Sequence, residues 1–86
     1  MLARLFVGNL SHDTTSDELR NLFSEVGPVE SCIVITDRDT GRPKGYAFVE
    51  MNSLEAGAAK WRFNGQDLHG RALTVEDAKP WNRIPQ

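Results

Sequence analysis

Two strand-like runs carry the residues best suited to hold a ligand. LFVGNL (residues 5–10) contains Phe6, and KGYAFVEM (residues 44–51) contains Tyr46 and Phe48. Side chains alternate faces along a strand, so Tyr46 and Phe48 share one face while Gly45, Ala47, Val49 and Met51 share the other. An aromatic ring offers a flat π surface on which another flat ring can stack, and Lys44 introduces the run with a positive charge. A chain of 86 residues suits one small domain. Such a domain hides only about 60% of the surface its unfolded form exposes, so aromatics left in water weaken it. An open aromatic row therefore asks for a function.

Other chemistries find less support. The chain has no paired carboxylates in a cleft pattern, no nucleophile beside a base and no phosphate-cradling glycine loop. No enzymatic activity and no cofactor are expected. His12 and His69 lie in polar loops and are expected to be solvated and metal-free. The single cysteine, Cys32, excludes an internal disulfide and a cysteine-based zinc cluster, and with IVIT after it reads as a core thiol. A net charge of -2 argues against a sequence-blind polyanion binder that works through bulk electrostatics. Basic groups are local instead: Arg38, Arg42 and Lys44, then Lys79 and Arg83. No apolar run approaches the roughly 20 residues of a membrane span. The opening MLARLFVGNL merges into a strand rather than reading as a signal peptide, and a cytoplasmic or nuclear, intracellular location is expected.

The elements that must position these residues follow from patterning. LFVGNL is a strand stopped by Gly8-Asn9. TSDE (15–18) is a capping box, and Leu19, Leu22, Phe23 and Val26 follow at helical spacing until Gly27-Pro28. The β-branched VESCIVIT (29–36) is a second strand, and the charged turn DRDTGRP leads into KGYAFVEM. LEAGAAKWRF (54–63), opened by the cap-type Asn52, forms a weaker helix with Ala56, Ala59 and Phe63 on one face. Trp61 is expected at the core edge, and the acids Asp17, Glu18 and Glu25 on a solvated face. RALTVED (71–77) alternates as a last strand. The order β-α-β-β-α-β gives an α+β ferredoxin-like βαββαβ sandwich, a four-stranded antiparallel sheet with two helices on one face. Right-handed crossovers place LFVGNL beside KGYAFVEM in the centre. The helices then cover the face of Leu5, Val7, Ala47 and Val49, leaving Phe6, Tyr46 and Phe48 open.

KGYAFVEM resembles the octamer of the RNA recognition motif, K/R-G-F/Y-G/A-F-V-x-F/Y, at seven of eight places. LFVGNL resembles the companion hexamer, with Phe6 at its second place, and NGQDLHGRALTV is similar to the family's second-helix exit and last strand. The resemblance runs from about Arg4 to Lys79 and implies a domain over residues 1–80 with a tail over 81–86. Two places depart from it: Met51 replaces an aromatic and faces inward, and Lys60 stands where the family has an apolar residue. Trp61 is expected to cover the gap beside Lys60.

The resemblance implies binding of single-stranded RNA, with Phe6 and Phe48 stacking bases and Tyr46 lying against sugars. Two stacks contribute about 2–6 kcal/mol, short of the roughly 8 kcal/mol of micromolar binding. Phosphate contacts and hydrogen bonds must supply the rest. Lys44, Arg42 and Arg4 are the candidates for phosphate. Alternation alone leaves both registers of the second strand open, whereas the resemblance favours Ser31, Ile33 and Ile35 on the RNA side. Thr74, Glu76 and Glu50 extend the outer rows, where the acids can accept from base amino groups such as cytosine N4. In the tail, Lys79 and Arg83 flank Trp81, and the family's segment after the last strand often extends the RNA surface; a disordered end is the alternative. The expected partner is single-stranded RNA, with single-stranded DNA as an alternative, bound by a monomer. A protein partner on the helical face is the competing reading.

Overall fold

The computed structural model describes residues 1–78. Lys79, Trp81, Arg83 and the rest of the tail lie outside the described residues. The element order is β1 (Leu2–Gly8), α1 (Ser16–Phe23), β2 (Val29–Thr36), β3 (Pro43–Asn52), α2 (Ser53–Phe63), β4 (Asp67–Leu68), β5 (Arg71–Ala72) and β6 (Thr74–Asp77). Four strands form one antiparallel sheet in the order β2-β3-β1-β6, so the two motif-bearing strands are its centre. Both helices pack on one face, as the ferredoxin-like reading expects.

The helix caps follow the sequence. Thr15 Oγ1 accepts from the Glu18 amide at 3.1 Å, and Asn52 Oδ1 from the Leu54 amide at 3.1 Å. Each bond satisfies one of the amide donors that a helix start leaves unpaired. Between helices and sheet lie Leu5, Val7, Leu19, Phe23, Ala47, Val49, Met51, Ala56, Ala59, Phe63 and Val75, all at most 2% exposed. The Phe23 and Phe63 rings, 4.8 Å apart, join the two helices. Ala47, Ala56 and Ala59 let the helices approach the sheet closely.

Four features differ from the sequence expectation. β1 begins at Leu2, because the ten-residue β3 offers Asn52 and Met51 as partners to Leu2 and Ala3. RALTVED is not one strand. Arg71–Ala72 pairs with Asp67–Leu68 around the left-handed pair His69-Gly70, and only Thr74–Asp77 joins β1. Leu73, 2% exposed, plugs the core between the two pieces while its backbone bonds to Gly65 and Gln66. Trp61 neither edges the core nor covers a gap: it is 89% exposed. Lys60 keeps its charged head at the surface, with its ammonium on Asp77 at 2.8 Å. Finally, His69 is not simply solvated, since it meets Glu18 at 2.6 Å and ties the β4–β5 turn to α1. Glu25 is exposed, as expected, and meets Arg62 at 3.0 Å.

Candidate nucleic-acid interface

The sheet face away from the helices carries the aromatics. Phe6 stands directly opposite Phe48 in the β1–β3 ladder, and Phe6, Tyr46 and Phe48 are each partly exposed. Their ring centroids are 5.7 Å apart for Phe6–Tyr46, 6.0 Å for Phe6–Phe48 and 6.1 Å for Tyr46–Phe48. These spacings are those of interacting rings, so the rings brace one another and form a continuous platform. Gly8 is part of it. A Cβ at Gly8 would lie 2.7 Å from the Phe6 ring, so the missing side chain leaves room for Phe6 to lie along its own strand. Sequence reading treated Gly8 only as a strand stop; its second role depends on a ring position that no local pattern reports.

Beside the platform, β2 adopts the register that the resemblance favours. Cys32 is 9% exposed and faces the core, and Val34 packs against it from the rim. Ser31, Ile33 and Ile35 line the open side, with Ile33 58% exposed. Cys32 donates to the Ser16 carbonyl at 3.5 Å, and burial pushes its thiol pKa up. The thiolate is thereby disfavoured, which suits an inert packing residue.

Arg4, Ser31, Ile33, Ile35, Phe48 and Glu50 line a shallow groove of about 220 Å³. Arg4 and Ser31 are the cross-strand neighbours of Glu50 on its two sides. Glu50 Oε1 accepts from the Ser31 hydroxyl at 2.7 Å, and Arg4 meets Oε2 at 3.5 Å. The Arg4 guanidinium also lies 5.8 Å from the Phe48 ring centre. Arg4, expected as a phosphate ligand, thus already has an acid and a ring as neighbours. The sequence marked Arg4 and Glu50 as candidates and the resemblance added Ser31, but neither showed their mutual bonds.

Further cations lie at the edges of the sheet. Lys44 and Arg42 are exposed at the β2–β3 turn. Asp37 shapes that turn: its Oδ1 accepts from the amides of Asp39 (2.8 Å) and Thr40 (3.1 Å). Those two bonds, helped by the Lys44 charge, hold the Asp37 carboxyl below its ordinary range. Gly45 follows Lys44 with a left-handed φ of 95° and receives the Leu10 amide on its carbonyl at 2.9 Å. Arg71 sits beyond the other end of β1. Asn9, itself left-handed, accepts from Arg71 at 3.0 Å and donates to the Ala72 carbonyl at 2.7 Å. Sequence reading did not single out Arg71. Thr74 is half-buried opposite Gly8, and Glu76 is exposed opposite Phe6. Among the described residues no three His, Cys, Asp or Glu side chains converge as a metal site would require, and no helix is long and apolar enough to cross a membrane.

Residues 5–74 match the family described as RNA recognition motif. The chain is 45% identical over 78 residues to the human cleavage stimulation factor subunit 2, covering 90% of this chain and 14% of that protein. It therefore spans about one seventh of that relative's length. It is 46% identical over 77 residues to the putative RNA-binding protein RbpF of Nostoc sp., covering 88% of this chain and 73% of that one. Among solved structures, RNA binding protein PG1 superposes with a TM-score of 0.87 at 37% identity, covering 96% of this chain and 99% of that one. The RRM of Rna15 with bound RNA (GU) superposes with a TM-score of 0.80 at 33% identity, covering 93% of this chain and 86% of that one. The octamer, the hexamer, the strand order and these matches agree: the chain belongs to the RNA recognition motif family.

Proposed function

We propose that the protein binds single-stranded RNA on the open face of its sheet. The observation that carries this reading is the contiguous platform of Phe6, Tyr46 and Phe48 on the two central strands, opposite the helices. Phe6 and Phe48 stack successive bases and Tyr46 lies against the intervening sugar. Lys44 and Arg42 meet phosphates at one end of the platform, and Arg4, Ser31, Ile33, Ile35, Glu50 and Thr74 contact bases or sugars along its flanks. Lys79 adds a charge after the last strand. The domain covers residues 1–80 and acts as a monomer, by binding and not by catalysis. RNA complexes among its structural neighbours support the reading, including that of the Sex-lethal protein at a TM-score of 0.87 and 34% identity.

A titration of random single-stranded RNA pools tests this. Wild type should bind in the micromolar range, and the Phe6→Ala/Phe48→Ala double variant should lose at least thirtyfold in affinity, since each stack contributes about 1–3 kcal/mol. Equal binding by the two proteins would overturn it. A second reading, docking of a peptide on the helical side, has one observation in its favour: Leu54 and Trp61 on α2 are 83% and 89% exposed. Peptide binding that is lost with Trp61→Ala, in a protein without RNA affinity, would favour that reading instead.

A further inference from the structure

The groove beside Phe48 has a chemistry more selective than stacking. Phe48 and Glu50 are two residues apart on β3 and face the same side, so a base lying on the Phe48 ring points one of its edges along the strand toward the carboxylate. Same-face neighbours are separated by roughly 7 Å, which accommodates half a base and one hydrogen bond. At that edge the base meets Glu50, fixed from one side by Ser31 at 2.7 Å and from the other by Arg4 at 3.5 Å. A carboxylate has about four acceptor sites, so each oxygen retains one for a ligand.

We propose that this groove is a guanine-reading site, in which Glu50 accepts from guanine N1–H and N2–H while Arg4 donates to O6. The proposal rests on the stacking function above. The argument is one of matching donors to acceptors. An ionised carboxylate only accepts, and it presents two oxygens side by side. Guanine has two adjacent donors on its Watson–Crick edge, N1–H and N2–H, with the acceptor O6 next to them. Adenine and cytosine offer one amino donor beside a ring nitrogen that repels the carboxylate. Uracil offers N3–H between two carbonyls that do the same. Arg4 adds to the discrimination, since a guanidinium has five N–H donors and only one is committed to Oε2. Ser31 acts as a positioning residue: its hydroxyl donates to Oε1 and holds that oxygen in place. Ile33, 58% exposed, gives the base an apolar wall on the β2 side. The same three residues could serve only as a cross-strand polar row, and such a row would show no preference among bases.

The test uses uridine octamers carrying one central guanosine, inosine, adenosine, cytidine or uridine, titrated by fluorescence anisotropy against the 86-residue chain. Wild type should bind the guanosine octamer about tenfold or more tighter than those with adenosine, cytidine or uridine. Inosine, which lacks the N2 amino group, should fall between. Glu50→Gln should lose the preference for guanosine over inosine, because one acceptor oxygen has become a donor. Circular dichroism confirms that the variant is folded. Wild-type affinities within twofold across the five octamers, in a protein whose binding still falls with Phe48→Ala, would overturn the guanine assignment and leave the stacking function intact. Binding that ignores Phe48→Ala would overturn both. A guanosine preference that survives Glu50→Gln unchanged would overturn the role of the carboxylate.

Discussion

Phe6 and Phe48 face each other across the two central strands, with ring centroids 6.0 Å apart and planes inclined at 65°. Backbone pairing therefore sets their separation, and neither ring is needed to fill the core. Replacing either by alanine should weaken single-stranded RNA binding by about 1–3 kcal/mol, on the order of 5- to 150-fold. Thermal stability should change much less than for a core residue. Isothermal titration beside a melting curve checks both halves of the expectation.

Gly8→Ala separates platform geometry from folding. The new Cβ would come within 2.7 Å of the Phe6 ring, and the atoms in the way are the far end of a side chain able to move. The ring should swing aside at little cost to the fold. RNA affinity should fall several-fold while the melting temperature shifts by only a few degrees. A crystal structure of the variant, or Phe6 ring chemical shifts, would show the displaced ring directly.

Salt dependence distinguishes the cations. For single strands the slope of log affinity against log salt is about 0.7 per phosphate neutralised. Lys44→Gln should lower the slope by about that amount. Arg4→Gln should lower it less, because Arg4 is already shared with Glu50 and the Phe48 ring. Binding measured over a range of potassium chloride concentrations reads both slopes.

The His69–Glu18 contact predicts a pH effect with a definite sign. The hydrogen bond to Glu18, aided by the charges of Glu18, Asp13 and Asp67, raises the His69 pKa above its ordinary 6.5. Protonation is thus favoured more in the folded chain than in the unfolded one. The added stability is complete below pH 6.5 and fades as pH rises through the folded value. Melting temperatures of wild type and His69→Gln should therefore differ most in mildly acidic buffer and converge in alkaline buffer. An NMR titration of the His69 ring gives the raised value itself.

Inside the core, Phe63→Ala should cost about 3–5 kcal/mol. Phe63 is fully buried and its ring touches Phe23, so the substitution opens a cavity where the two helices meet. Chemical denaturation with an unchanged slope and a lowered midpoint is the expected result.

The outward aromatic row was legible in the amino-acid sequence. Strand alternation is a local property with a period of two, so placing Ala47 and Val49 toward the helices sends Tyr46 and Phe48 the other way. The caps at Thr15 and Asn52 were legible for the same reason, since each spans only a few residues. Tertiary structure decided the rest. VESCIVIT has apolar residues on both faces, and only docking of α1, with Ser16 Oγ taking the Val34 amide at 3.1 Å, turns Cys32 inward. RALTVED alternates like a single strand, yet Leu73 is drawn into the core and splits it. Trp61 reads as a core-edge residue until the packing of Ala56, Ala59 and Phe63 fixes the helix rotation that leaves it in water. The Arg4–Glu50 and Glu18–His69 pairs join residues 46 and 51 positions apart. Contacts of that range form only when the chain has folded back on itself, and no local pattern encodes them.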